Sequence, residues 1–488
     1  VALNPTGTDN ESFERATTDG DFTLALRLAE QMLAGSKRNV AAWTSRIRAK
    51  IGLGETCEAD EDIDVALRLD GNNAHLNWLR ALIDQRLGRV DRAIDGARKL
   101  ACDDSPIGIE AKYLLVDALY LANRREEVAK LIHAGGVWLN QPRGRLHLAR
   151  AQERENSAKA VEEFIALFRS TAADANIRRI AGFDAVKWLD KLGRYREAYD
   201  LAAEVHAATT PPFDVDGMTQ IAQQQGELIA KSGKWFTAAA DPVQGLAMIV
   251  GLPRSGTSLL EQMFDGHSQI SGIGEYEGMS LMGFSIESTG VPVRNIGRLP
   301  HNVVMQLQQR YMKGVEQLRR PGATWALDKN LSGWRFVYAI AAVLPGTVCF
   351  QVARDPRDMA ISTFLSMFHP IANGWTSKLD AIRDVITTER AVTQRALETL
   401  DIAHESMVYE NFVLDPEAHV KRCLDRLGLT LENSVLQPQD NKRQVFTLSF
   451  EQVKKPINTS SIGRWRNYEW AFDRSWDTLV AAHDARRV

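Results

Sequence analysis

Gly20, Gly54 and Gly88 stand 34 residues apart, and five positions after each comes an alanine: Ala25, Ala59 and Ala93. Asn123 with Val128 follows one residue late, and Gly193 with Ala198 lies 70 further on, two periods of 35. Nine residues after each turn residue comes Ala29, Ile63, Ala97, Ile132 or Ala202, apolar in every case. The stretch after Gly88 shows the logic. Val90, Ala93, Ile94, Ala97 and Leu100 make one apolar face at helical spacing. Gly or Asn at the turn permits the left-handed backbone that joins two helices. Alanine five residues on lets neighbouring helices approach closely.

This period, with its small turn and helix residues, resembles tetratricopeptide repeats. The resemblance spans residues 10–210 and fits poorly over 140–175. It implies an α-helical, TPR-like solenoid over 1–210. Such a solenoid either scaffolds or dimerises the chain, or offers a concave groove to an acceptor peptide or partner; both roles stay open. Thr209-Thr-Pro-Pro-Phe213 breaks the helical pattern, so 211–240 reads as a linker carrying one helix over about 215–232.

At 488 residues the chain exceeds what one core supports, so at least two domains are expected. A net charge of −3 gives no global pull toward nucleic acid or an anionic membrane. Cys57, Cys102, Cys349 and Cys423 are scattered without CxxC pairing, which argues against a zinc site or a disulfide framework and suits a reducing compartment. No run approaches the roughly 18 uncharged apolar residues of a membrane span. The start, VALNPTGTDNESFERA, lacks a basic-then-apolar signal pattern, so a cytoplasmic protein is expected.

From 241 to 488 short apolar runs alternate with longer helical stretches. LAMIV (246–250), TWAL (324–327), TVCFQV (347–352) and HESMVY (404–409) read as buried strands. Strands separated by helices imply an α/β domain with a parallel sheet flanked by helices, whose ligands bind at the strands' carboxyl ends. After LAMIV comes Gly251-Leu-Pro-Arg-Ser-Gly256, then a helix with Leu259, Leu260, Met263 and Phe264 inward. Backbone N–H groups from Arg254 to Ser258 at that helix's N-terminus suit an anion, and Thr257 and Ser258 add hydroxyl donors. Thr257 stands where a nucleotide triphosphatase carries Lys.

The run GxPRSGTS resembles the 5′-phosphosulfate-binding loop of sulfotransferases, a P-loop-like family that uses 3′-phosphoadenosine-5′-phosphosulfate (PAPS) without metal. On that resemblance Pro253, Arg254, Ser255, Gly256, Thr257 and Ser258 bind the cofactor. Arg354 ends a strand in QVARDPRDMAISTFLSMF, with Asp355 as N-cap and Pro356 as first helical residue. Ser362 follows eight residues after Arg354, an interval that resembles the family's 3′-phosphate site. In the protein-tyrosine sulfotransferases a Glu lies 21 residues past the loop Arg, which here is Glu275, the implied base. Glu277, which would share its face in a strand, and His267 are the alternatives. Lys329 resembles the family lysine that offsets charge on the leaving phosphate; its alternative is a surface lysine bridged to Asp328. Tyr409, in MVYENF, resembles an adenine contact. KKPINTSSIGRWRNYEW (454–470) resembles the loop that closes over PAPS, with Ser461, or Ser460 as its alternative, and Arg464 as contacts beside Lys454, Lys455, Arg466 and Trp465.

The expected function is PAPS-dependent transfer of a sulfuryl group to an acceptor hydroxyl, catalysed by Glu275, Lys329 and Arg254. A peptide tyrosine, carbohydrate, lipid or small molecule is compatible as acceptor. The rivals are a Mg²⁺-dependent phosphotransferase and a repeat protein with an inactive second half.

Overall fold

A computed structural model describes residues 7–153, 156–231, 240–291, 293–331, 333–441, 443 and 455–487. Lys454 and most of the segment before it lie outside these residues. The chain forms two compact units, Val1–Glu155 and Asn156–Val488. No helix among the described residues is long and apolar enough to cross a membrane.

The repeat turns are where the periodicity places them. Gly20, Gly54, Gly88, Asn123 and Gly193 all have φ between +56° and +80°. Nothing crowds Gly20 or Gly193, so dihedral angle, not space, selects glycine there. Three of these turns join helix pairs of the first unit that begin with Gly7–Thr18 and Phe22–Gly35, continue with Val40–Leu53 and Thr56–Leu69, and then with Ala74–Arg86 and Val90–Leu100. Asn123 joins Pro106–Leu121 to Arg125–His133. Gly193 joins Ala175–Lys191 to Tyr195–Thr209 in the second unit. Ala25, Ala59, Ala93 and Ala198 are wholly buried, as helix–helix contact at small residues requires. Over 140–175 the helices persist, but a 3₁₀ turn at Val137–Asn140 interrupts the spacing.

The second unit holds a five-stranded, wholly parallel sheet. Its strands are β1 (Leu246–Val250), β2 (Ile270–Gly274), β3 (Trp325–Asn330), β4 (Val348–Ala353) and β5 (His404–Val408). Their order is β2-β3-β1-β4-β5. Four coincide with the apolar runs. β2, ISGIG, is an edge strand whose two isoleucines are separated by Ser271 and Gly272, so no hydrophobic run announces it. Residue alternation sends Met248, Val250 and Ala326 into one core with the helices His301–Leu318 and Val337–Val343. Ala247, Ile249, Leu327 and Phe350 enter the opposite core, with the helices Thr257–Asp265 and Pro416–Leu427.

Candidate active site

Each strand carries a candidate site residue at its carboxyl end: β1 the loop from Gly251, β2 Glu275, β3 Lys329, β4 Arg354 and β5 Tyr409. This is the edge where ligands of parallel sheets bind. The loop is strained. Arg254 has φ +68°, a left-handed conformation costing an L-residue about 1–3 kcal/mol. Gly256 has φ +109°, and a Cβ there would stand 2.4 Å from the Tyr409 ring. Pro253 is buried, and the buried Ser255 hydroxyl donates to the Leu252 carbonyl at 2.9 Å, closing the loop on itself. Thr257 and Ser258, both buried, open the following helix.

Around this loop a cationic cluster forms. Arg254 Nε donates to Ser362 Oγ at 2.7 Å. Arg354, nearly buried, donates to the Arg254 carbonyl at 2.9 Å and to the Ser461 carbonyl, and lies 4.9 Å over the Tyr409 ring. Burial first, then the charges of Arg354 and Arg464, push the Arg254 guanidinium down to about 10. Two carboxylates offset part of this charge, Asp358 Oδ2 at 3.8 Å from Arg354 and Asp190 on Arg464, which leaves three guanidiniums against two anions. The Arg/Ser interval thus brings Arg354, Ser362 and Arg254 together, and Tyr409 and Ser461 join them. The Ser460 hydroxyl instead turns to Asn458 Oδ1 at 2.5 Å.

Asp355 and Pro356 start the Ser362 helix, Pro356–Phe364, as the sequence implies, with Asp355 accepting from Arg357 N at 2.9 Å. Asp358, one turn before Ser362, was not foreseen. Its carboxylate accepts from the Gly463 and Trp465 amides at 2.7 and 2.8 Å, clasping the C-terminal loop. Trp465 lies between Arg357, 3.6 Å over its ring, and Arg466 at 5.2 Å. Arg464 Nη2 bonds Asp190 Oδ2 at 2.5 Å.

A second cluster sits at β2 and β3. Lys329 is wholly buried and donates to Glu275 Oε1 at 2.5 Å, while the Glu275 side chain stays 45% exposed. The pair therefore presents a carboxylate to solvent and an ammonium to the interior. The surface-lysine alternative fails because consecutive strand residues face opposite sides. Asp328 enters the other core, where it accepts from the Tyr311 hydroxyl at 2.6 Å. Burial, opposed by the Tyr311 hydroxyl and the Tyr276 amide, pushes Asp328 up to about 7.

Behind Lys329 lies Glu261, 1% exposed, which no motif signalled. Its Oε1 accepts from Arg443 at 2.8 Å and from Gly274 N at 3.0 Å, and its Oε2 is 4.0 Å from Lys329 Nζ. Glu275, Lys329, Glu261 and Arg443 thus alternate in charge. Glu277 does not share a strand face with Glu275, because β2 ends at Gly274 and Glu277 caps the helix Gly278–Ser288. His267 lies at the opposite end of β2, its Nε2 3.0 Å from the Thr430 carbonyl and its Nδ1 accepting from Gln269 N at 3.0 Å. Two backbone partners fix that ring as a structural element.

Residues 247–433 match the model of the Sulfotransferase family. An uncharacterised protein of Aquifex aeolicus (strain VF5) is 23% identical over 363 residues, 70% of this chain and 46% of that one. Protein-tyrosine sulfotransferase 2 of Gallus gallus is 22% identical over 254 residues, 45% of this chain and 62% of that one. The chain thus spans about half to just under two thirds of the length of these relatives. Among solved structures, the sulfotransferase domain from the curacin biosynthetic pathway is 16% identical with a TM-score of 0.36, covering 50% of this chain and 99% of that domain.

Proposed function

We propose that this chain, whose residues 247–433 belong to the sulfotransferase family, transfers a sulfuryl group from PAPS to an acceptor hydroxyl. One observation carries the reading. Along a single sheet edge, an Arg254–Ser362–Arg354 cluster adjoins the strained loop, and a buried Lys329 pairs with a half-exposed Glu275. The cations crowded around Arg254 suit a ligand with separate anionic groups. Arg254, Arg354, Arg464 and Ser362 would hold the phosphates, with Thr257, Ser258 and the amides of their helix end. Bound there, PAPS supplies the sulfuryl group and a bisphosphate leaving group. Glu275 accepts the proton of the attacking hydroxyl, which its exposure lets an acceptor reach. Lys329, fixed in the interior, stabilises the charge that develops as the bond to the leaving group breaks. Holding the reactants in line provides much of the acceleration.

The test has two stages. Melting is compared with 3′,5′-bisphosphoadenosine, with ATP and Mg²⁺, and without ligand. A midpoint raised by the bisphosphate alone supports the reading, and one raised by ATP alone replaces it with a phosphotransferase. Radiolabelled sulfate from PAPS is then offered to tyrosine peptides, glycans, lipids and phenols. Glu275→Gln should bind bisphosphate as the parent does and lose at least a hundredfold in turnover, about what a general base contributes. Undiminished turnover would remove Glu275 as base.

A further inference from the structure

Asp190 stands on Ala175–Lys191, a helix of the repeat pattern, and still reaches the cofactor loop. Its two oxygens divide their partners. Oδ2 accepts from Arg464 at 2.5 Å and Oδ1 from the Tyr468 hydroxyl at 2.7 Å. Both partners belong to the 3₁₀ segment Arg464–Ala471, and Asp358 on the Ser362 helix clasps the Gly463 and Trp465 amides on either side of Arg464. The next repeat helix, Tyr195–Thr209, touches the same two pieces. Tyr195 meets Tyr468 edge-on at 5.3 Å, Tyr199 lies 4.8 Å from Phe364, and His206 Nε2 is 2.9 Å from the Phe364 carbonyl. The backbone on either side of Arg464 is tied to the Arg354–Ser362 cluster, because Arg354 donates to the Ser461 carbonyl and Asp358 accepts from the Gly463 and Trp465 amides.

We propose that Asp190 is a positioning residue for nucleotide binding, holding Arg464 so that its guanidinium serves the 3′-phosphate. The proposal rests on the PAPS reading above. A guanidinium is a planar fork of five donors, so fixing one edge sets the direction of the rest. An arginine ordered before the ligand arrives loses less freedom when it binds. Removing the Asp190 charge would by itself favour an anion. That effect is the weaker one, because Arg464 is 32% exposed and salt screens it. Losing the fork's direction and the Tyr468 clasp together is not screened. The repeat helices of the second unit thus contribute a wall of the site.

Calorimetric titration of the full chain at physiological salt tests this with two probes, 3′,5′-bisphosphoadenosine and 5′-AMP, which lacks the 3′-phosphate. Asp190→Asn should weaken the bisphosphate about tenfold and leave 5′-AMP within a factor of about two. Arg464→Gln should weaken the bisphosphate similarly, and the double variant should be no weaker than Arg464→Gln alone. Should Asp190→Asn melt early, Asp190→Glu, which keeps the charge one methylene further out, carries the same comparison between probes. Unchanged affinity, equal weakening of both probes, or tighter bisphosphate binding each overturns the role of Asp190. A parent protein that binds neither probe overturns the PAPS reading itself.

Discussion

Glu261 sits in LLEQMF, where helical spacing assigns it to a solvated polar face. That face is instead covered by β2 and by Arg443, which arrives from 182 residues further along the chain. Local pattern cannot see such a partner, whereas Arg254, Ser362 and Arg354 could be picked out because the motifs holding them resemble a known family's, and the structure brings the three together. Glu261→Gln leaves the buried Lys329 and the half-buried Arg443 with one anion fewer. Breaking a buried pair from one side costs about 3–5 kcal/mol, so urea unfolding should shift by that order. A shift below 1 kcal/mol would mean that water hydrates Arg443 and Lys329 well enough to replace the carboxylate. Lys329 was legible as a residue but not in its burial, which follows from β3 running on through Asn330 instead of stopping at Leu327.

At the scale of elements, short runs between helical stretches revealed four strands, of which β1 and β4 are buried almost throughout, and glycine spacing revealed the repeat turns. β2 was illegible because Ser271, Gly272 and Gly274 break its apolar run, although Ile270 is wholly buried in the core. The join of β1 to its helix depends on Gly256 twice, through its dihedral and through the Tyr409 ring. Gly256→Ala should cost about 1–3 kcal/mol in strain alone and abolish bisphosphate binding, read by denaturation and titration. β3 carries a pH dependence. Asp328, raised to about 7 in the fold from 3.8, keeps a proton that the unfolded chain releases. Its contribution to stability is full below pH 4 and is lost as pH rises to about 7, up to about 4 kcal/mol. Asp328→Asn should therefore gain on the parent between pH 5 and pH 8 in melting temperature. A constant difference across that range would show that Asp328 does not titrate there.

On the whole-molecule scale, periodicity drew a solenoid to residue 210, whereas packing gathers residues from Asn156 onward with the sheet. The reason lies in side chains whose inward role no period reveals. Arg179 spans Thr209, Thr210 and the Phe368 carbonyl at 2.6, 2.8 and 3.0 Å, and His206 packs between Phe183 and Phe364. A chain beginning at Asn156 should therefore fold and bind bisphosphate, and one beginning at residue 241 should do neither; equal behaviour would place the boundary elsewhere. Burial lowers His206 to about 4, so the unfolded chain takes up a proton that the fold refuses. Stability from this group is complete above pH 6.5 and falls by about 3 kcal/mol as pH drops to 4, and His206→Phe should flatten that slope. The strained Arg254 has a consequence of another kind. On the proposed role of Arg254, glycine there would relax the backbone while removing the guanidinium that holds the nucleotide, so a lineage selected for heat tolerance alone would drift toward a sturdier, idle protein. Arginine at that position would mark lineages in which catalysis is still under selection.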